Sequence, residues 1–271
     1  MGNEILILIA TNDLYLKAFG QVWWSCFKYY WPDSNCPVMF VTPKDNPYPE
    51  LPCYVIGENR GWNRNLLDSL TFCEKTYNPS AVILLHEDYL IGPQKRSSYF
   101  NDNLNRCQQI LNENKDIQTI GLIHKDPETH PYQNWPEMLG YHDVETLGIL
   151  PVDVGGVSLW RASSLRKHIE RVISIVPQER DMGRNGAAEF SYYGSLWSRE
   201  EKQIHLRVKR GIAYCDGLLN ILYGVTIELG RLRITDAQHL IEVERALGKG
   251  LGQISTIDSI TSSPETLLNK N

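Results

Sequence analysis

Short unbroken runs of apolar residues alternate with longer segments of helical periodicity in the first 123 residues of the chain. Runs of this kind, bounded by proline, glycine or asparagine, predict strands that are covered on both faces. The strands are predicted at residues 5–10, 36–43, 51–57, 81–85 and 119–123. Helices are predicted between them at residues 14–30, 63–77 and 95–112. The alternation predicts an α/β fold whose mainly parallel, mixed sheet is flanked by helices in a single Rossmann-like domain.

The pattern is less regular after residue 123. Residues 124–150 are rich in proline, histidine and aromatic residues, which predicts a long loop or lid. A strand and a helix follow, then a helix over 187–197 and a strand from residue 204. We therefore expect one domain over residues 1–225, with halves 1–123 and 124–225. A helical extension over 226–250 and a flexible tail over 251–271 complete the prediction.

Composition narrows the class of protein. The chain has 271 residues, a net charge of −5 and no basic stripe, which argues against nucleic-acid binding. No apolar stretch approaches the roughly 20 residues of a membrane span, and the apolar run near the N-terminus lacks a basic flank. Six cysteines without a C-x-x-C pair predict reduced, mostly buried thiols. We expect a soluble cytoplasmic protein, and the oligomeric state stays open.

Acidic residues follow two of the predicted strands. Asp13 comes after the first strand, and His86, Glu87 and Asp88 come after the fourth. Ligands of parallel sheets bind at the carboxyl ends of the strands, so both groups are candidates for one site. Two adjacent carboxylates need solvent, basic partners or a metal, and Mg²⁺ or Mn²⁺ prefers carboxylate oxygens. The alternatives are a solvated turn at 86–88 and a helix cap at Asp13.

Several short motifs occur in a recognisable order. They are "ATNDLY", "YYWPDSNCPVMFVT", "RGWNRNLLDSL" and "VILLHEDYLIGP", followed later by "VSLWRASSL" and "GAAEFSYYGSLWSR". In this order they resemble a group of bacterial and viral glycosyltransferase-like proteins with the GT-A fold. The resemblance covers roughly residues 4–225.

The resemblance implies a transferase that uses a nucleotide diphosphate-sugar donor and a carbohydrate acceptor. By the same resemblance, the donor is contacted by Thr11, Asp13, Arg60, Trp62, Arg64 and Glu87. Glu87 and Asp88 match the metal-binding motif, usually Asp-x-Asp, which implies a Mn²⁺ or Mg²⁺ cofactor. This chain departs from the motif, because it has His86 before the acidic pair.

An inverting sugar transfer also needs a carboxylate base beside the acceptor hydroxyl. Glu189 matches the late acidic position of the family, and Asp181 or Asp153 could take its place. Each candidate has a structural alternative. Trp62 could be the first core residue of its helix. The arginines at 60 and 64 could be solvated, and Glu189 could be an exposed helix carboxylate.

We therefore predict an inverting glycosyltransferase, with a role in surface polysaccharide or glycan assembly. A sugar nucleotidyltransferase is a weaker alternative, because it needs a glycine-rich loop after the first strand and this chain has no glycine there before Gly20. A catalytically degenerate GT-A-like protein that binds a glycan or serves as a scaffold is the third possibility. The missing first aspartate is its main support.

Overall fold

The computed structural model describes residues 4–86, 90–91, 97–122, 132–133, 144–147, 157–182, 186–200, 204–208, 221–222 and 245. The strands in these ranges are β1 (Ile5–Ala10), β2 (Val38–Thr42), β3 (Cys53–Val55), β4 (Ala81–His86), β5 (Leu90–Ile91), β6 (Ile117–Gly121), β7 (Tyr132–Gln133), β8 (Val144–Leu147), β9 (Ser158–Arg161), β10 (Ile204–Val208) and β11 (Ile221–Leu222). The helices are α1 (Asp13–Tyr30), α2 (Trp62–Tyr77), α3 (Ser97–Glu113), α4 (Ala162–Ile175), α5 (Gln178–Met182) and α6 (Gly186–Glu200).

Nine of the eleven described strands form a large mixed sheet, and β5 and β11 form a separate antiparallel pair. Its nine strands follow the order β3-β2-β1-β4-β9-β6-β10-β8-β7. The strands β9 and β8 run antiparallel to both of their neighbours, whereas the pairs within β3-β2-β1-β4 and the pair β6-β10 are parallel. The predicted α/β fold with a mainly parallel, mixed sheet is confirmed.

Both faces of the central strands are covered, which explains their unbroken apolar sequences. Ile5, Ile7 and Ile9 pack with apolar residues of α1 and α3. The alternate residues of β1 pack on the other face with α2, α4 and α6. Because successive side chains of a strand point to opposite faces, a strand between two helical layers needs apolar residues throughout. The aromatic run of α1 lies in the first layer, where Trp23 and Trp31 are fully buried.

Some elements differ from the prediction. Residues 124–150 contain β7 and β8, which pair with each other and join the sheet through β10. These strands are too short to be recognised from sequence, and their pairing depends on the edge that β10 offers. The short helix α5 was not predicted either. The helical extension at 226–250, apart from residue 245, and the tail at 251–271 lie outside the described residues.

Two further expectations concern the membrane and the cysteines. Among the described helices, none is long and apolar enough to cross a bilayer. The five cysteines in the described part of the chain are free thiols. Burial raises the pKa of the Cys26 thiol to about 12. A thiol with so high a pKa stays protonated and unreactive at neutral pH.

Candidate active site at the carboxyl edge of the sheet

The first loop and the end of β4 meet at one edge of the sheet. The parallel strands β1 and β4 are in register, with Ala10 opposite His86. Thr11 directly follows Ala10, and its backbone N–H donates to the Val41 carbonyl, 3.2 Å away. The loop that begins at Thr11 is therefore tied to β2 on one side and lies beside the end of β4 on the other.

Asp13 organises the loop that follows β2. Its Oδ1 atom accepts hydrogen bonds from the Thr42 hydroxyl at 2.6 Å, the Lys44 N–H at 2.9 Å and the Asp45 N–H at 3.0 Å. No described residue donates to its Oδ2 atom. Burial alone would raise the pKa of Asp13, but these hydrogen bonds outweigh it and the net pKa is lowered. Asp13 is thus held as a carboxylate with one oxygen available, and its bonded oxygen contacts the β2 loop instead of capping α1.

Trp62 forms an aromatic contact with the last residue of β4. Its ring stacks on that of His86, with centroids 5.6 Å apart and an interplanar angle of 25°. Phe190 of α6 meets the same indole edge-on at 5.3 Å. Trp62 also packs against the core layer that contains α2 and α4. The side chain therefore belongs to the core and also reaches the edge where β4 ends.

The N-terminus of α2 is capped from a distant part of the chain. Its N-cap residue is Gly61, which has no side chain to accept the first N–H groups. Asp181 of α5 accepts them: its Oδ1 atom lies 3.0 Å from the Asn63 backbone nitrogen, and its Oδ2 atom lies 3.3 Å from that of Arg64. Two side chains add to this cap, the Asn63 amide at 2.7 Å and the Arg64 guanidinium at 2.9 Å. Asp181 is 1% exposed.

These bonds bear on the predicted catalytic role of Asp181. An ionised carboxylate has about four lone-pair sites, and four donors surround this one. A general base needs a lone pair that can reach the proton of the acceptor. The geometry therefore favours a structural role for Asp181 over the catalytic role that the sequence suggested.

The two predicted donor-binding arginines are both engaged in ion pairs. Arg64 binds Asp181, and its Nη2 atom donates to the carbonyl of Val176 at 3.1 Å. Arg60 forms an ion pair with Asp68, and this hydrogen bond raises the pKa of the guanidinium. Arg64 is thus a structural cation between α2 and the end of α4. The Arg60 side chain remains 40% exposed.

Glu189 lies in the first turn of α6 and is 5% exposed. The alternative of an exposed helix carboxylate is therefore wrong. Its Oε1 atom is 2.5 Å from Nε of Arg180, a residue whose own side chain is 61% exposed. A buried carboxylate is costly without a partner, and Arg180 supplies the compensating charge from the solvent side.

The predicted metal ligands Glu87 and Asp88 lie outside the described residues. Within the ranges that the structure covers, no three histidine, cysteine, aspartate or glutamate side chains form a metal-binding group. The metal site therefore stays a prediction that depends on residues 87 and 88.

Sequence reasoning did not single out three residues of this region: Asn63, Arg180 and Gly186. Asn63 is fully buried and donates from its amide to both Asp181 and the Gly186 carbonyl. One signal in the sequence pointed to such a cap. The helix after Gly61 begins with no capping side chain and no acid in its first turn, so its N–H groups need an acceptor from elsewhere.

Replacing Gly61 with alanine is expected to destabilise the fold more than the same change at Gly57. Both glycines have positive φ, +110° and +100° respectively, and such sparsely populated backbone conformations cost alanine about 1–3 kcal/mol. A Cβ atom at Gly61 would also lie 2.6 Å from Cγ of Asp181, whereas one at Gly57 meets no atom within 4 Å. We expect a further loss of about 1–3 kcal/mol at Gly61, measured by urea unfolding. Equal losses at both positions would show that the contact with Asp181 relaxes freely.

Comparisons with known proteins give no family assignment. No family model and no curated protein matches the chain. Among solved structures, it is similar to a cytidylyltransferase from Leptospira borgpetersenii serovar Hardjo-bovis, at 13% identity and a TM-score of 0.45, over 91% of this chain and 95% of that one. It is also similar to the galactosyltransferase LgtC in complex with donor and acceptor sugar analogues, at 13% identity and a TM-score of 0.35, over 68% of this chain and 69% of that one. Both TM-scores are below 0.5, so the fold is assigned from the strand order and pairing given above.

Proposed function

We propose that the protein is an inverting glycosyltransferase that moves a sugar from a nucleotide diphosphate donor to a carbohydrate acceptor in glycan assembly. The observation that carries this proposal is the register of β1 and β4, which places the Thr11–Asp13 loop beside His86. Open parallel sheets bind their ligands at this edge. In the sequence, the acidic pair Glu87 and Asp88 directly follows His86.

Asp13 is suited to bind the nucleoside. Its Oδ1 atom is fixed by three donors, so the orientation of the carboxylate is set before a ligand arrives. Its lowered pKa keeps it ionised, and its Oδ2 atom can accept from an N–H of the base or an O–H of the ribose. Thr11, which lies in the same loop, is the other residue that we expect to contact the donor there.

The leaving diphosphate gains negative charge as the bond to the sugar breaks, and a cation stabilises that charge. Glu87 and Asp88 would hold Mn²⁺ or Mg²⁺ for this purpose. Arg64 is committed to Asp181, so we do not assign it to the diphosphate. Arg60, whose side chain is 40% exposed, remains a candidate.

Glu189 is our candidate for the base. In an inverting transfer the acceptor oxygen forms a bond to the anomeric carbon while the bond to the diphosphate oxygen breaks. The proton of the acceptor hydroxyl passes to the carboxylate. Glu189 is buried in the first turn of α6, and the helix begins against Trp62, which itself contacts His86. Arg180 contacts only the Oε1 atom, so the proton must pass to Oε2 or Arg180 must leave Oε1.

A thermal-shift screen tests the proposed function. We expect one of UDP, GDP, CDP, dTDP and CMP to raise the melting temperature by about 5–10 °C at 100 times its Kd, with Mn²⁺ or Mg²⁺ present. Asp13→Ala and the double variant Glu87→Ala/Asp88→Ala should abolish the shift. Asp116→Ala is the matched control, because this exposed aspartate precedes β6 at the opposite edge of the sheet.

The variants that lose the thermal shift distinguish a transferase from a glycan-binding scaffold. A shift that needs metal and disappears in the double variant supports the transferase and identifies the donor nucleotide. Hydrolysis of the matching nucleotide sugar should then be measurable, and Glu189→Gln should slow transfer by about 10²-fold or more. No shift with any nucleotide favours a glycan-binding scaffold instead.

A further inference from the structure

One carboxylate joins three helices at the carboxyl edge of the sheet. Asp181 belongs to α5, accepts the first N–H groups of α2, and shares the Asn63 amide with the first residue of α6. The Asn63 amide lies 2.7 Å from Asp181 and 2.9 Å from the Gly186 carbonyl. A shift of α5 would therefore break its bonds to α2, and Asn63 in turn links α2 to α6.

The helix ends that meet at Asp181 are closely packed. A Cβ atom on Gly186 would lie 2.6 Å from Cβ of Trp62 and 2.6 Å from the Asp181 carbonyl oxygen. A Cβ atom on Gly61 would lie 2.6 Å from Cγ of the Asp181 side chain. Both glycines allow a backbone approach that no other residue permits, so the three helix ends have one relative position.

Residues at the helix ends that meet at Asp181 connect it to the proposed site. Trp62, the first residue of α2, stacks on His86, which directly precedes Glu87 in the chain. The first turn of α6 carries Glu189, and the next residue, Phe190, packs edge-on against Trp62. The end of β4 and the candidate base are thus connected through the helix ends that meet at Asp181.

We propose that Asp181, acting through Asn63, is a positioning residue that aligns the end of β4 with Glu189, and is not itself a catalytic residue. This inference rests on the proposed function only for its effect on turnover. Its effect on the Trp62–His86 contact does not depend on any activity.

The test compares three variants: Asp181→Asn, Asn63→Ala and Glu74→Gln. Asn63→Ala removes the bridge to Gly186 but keeps the backbone cap and the Arg64 ion pair. It also removes a buried amide oxygen that has no partner among the described residues, which limits its cost to folding. Glu74→Gln is the matched control, because it weakens an ion pair between α2 and Arg166 of α4 near the other end of the helix.

The first readout is the proton NMR shift of the His86 ring, with Trp62→Ala as the reference for a lost ring current. We expect Asn63→Ala and Asp181→Asn to move the His86 signals toward the reference, and Glu74→Gln to leave them in place. Unchanged His86 signals in the folded Asn63→Ala variant would overturn the proposal. The Asn63 variant decides the question if Asp181→Asn does not fold.

The second readout is transfer, measured as kcat and KM for the donor and corrected for the folded fraction. Misplacing the base should lower kcat by about 10–100-fold. KM for the donor should rise by less than kcat falls, because Asp13, which is held by the β2 loop and not by Asp181, still fixes the nucleoside. A loss of kcat in Glu74→Gln equal to that in Asn63→Ala would overturn positioning in favour of general destabilisation. If the wild type binds no nucleotide, the proposed function fails, and the His86 shift alone decides the role of Asp181.

Discussion

Replacing Asp181 with alanine lowers the free energy of unfolding by about 3–5 kcal/mol, the cost expected when one partner of a buried ion pair is removed. Asp181 is 1% exposed and receives two backbone N–H groups and two side chains of α2. Without it, Arg64, whose side chain is only 19% exposed, loses its carboxylate partner, and the N-terminal N–H groups of α2 lose their acceptor. Urea or thermal unfolding of the purified variant measures this loss.

The ion pair between Glu74 and Arg166 provides the comparison. It also joins α2 to a neighbouring helix, but its side chains are 31% and 27% exposed. Solvent screens such a pair, so Glu74→Gln should cost only about 0–1 kcal/mol. A loss below about 1 kcal/mol in Asp181→Ala would contradict the buried cap that we describe.

Acidification is expected to destabilise the protein through His168. Its ring is buried among Trp160, Phe190 and Trp197, and Nε2 donates to the Phe190 carbonyl at 3.0 Å. The pKa of His168 is lowered from 6.5 to about 4, mainly by burial; the hydrogen bond to the Phe190 carbonyl opposes this change and the nearby charge of Arg171 adds to it. The folded protein therefore holds this histidine neutral.

The direction of this pH dependence follows from the number of protons that the folded and unfolded states bind. Between pH 6.5 and about 4 the unfolded chain binds a proton at His168 and the folded protein does not. The free energy of unfolding therefore rises with pH in this window, and the stability present above pH 6.5 is lost on acidification. At about 1.4 kcal/mol per pH unit, the loss reaches about 3 kcal/mol.

Urea unfolding of the wild type and His168→Gln between pH 4 and 7 measures this contribution. Glutamine keeps an N–H donor for the Phe190 carbonyl but does not titrate, so the variant should lose the part of the slope that His168 contributes. Equal slopes in the two proteins would show that His168 is protonated in the fold or accessible to water.

The regular first half of the fold could be predicted because its signals are local. The run from Ile5 to Ala10 is apolar at every position, and this alone indicates a strand covered on both faces. Such a run is also enough to place Asp13 and His86 at strand ends. The short strands β7 and β8 could not be predicted in this way, because four residues or fewer carry too little pattern and the edge of β10 selects them.

In the candidate site, too, some features could be predicted from the sequence and others could not. The sequence by itself determined the α/β alternation, and with it the edge of the sheet at which the acidic residues lie. Only the tertiary structure decided what each charged side chain does there. Asp181 and Glu189 look alike as late acidic residues in the chain, yet Asp181 caps α2 and Glu189 forms an ion pair with Arg180. A carboxylate takes its role from the donors that surround it, and those of Asp181 come from Asn63 and Arg64, more than 100 positions away in the chain.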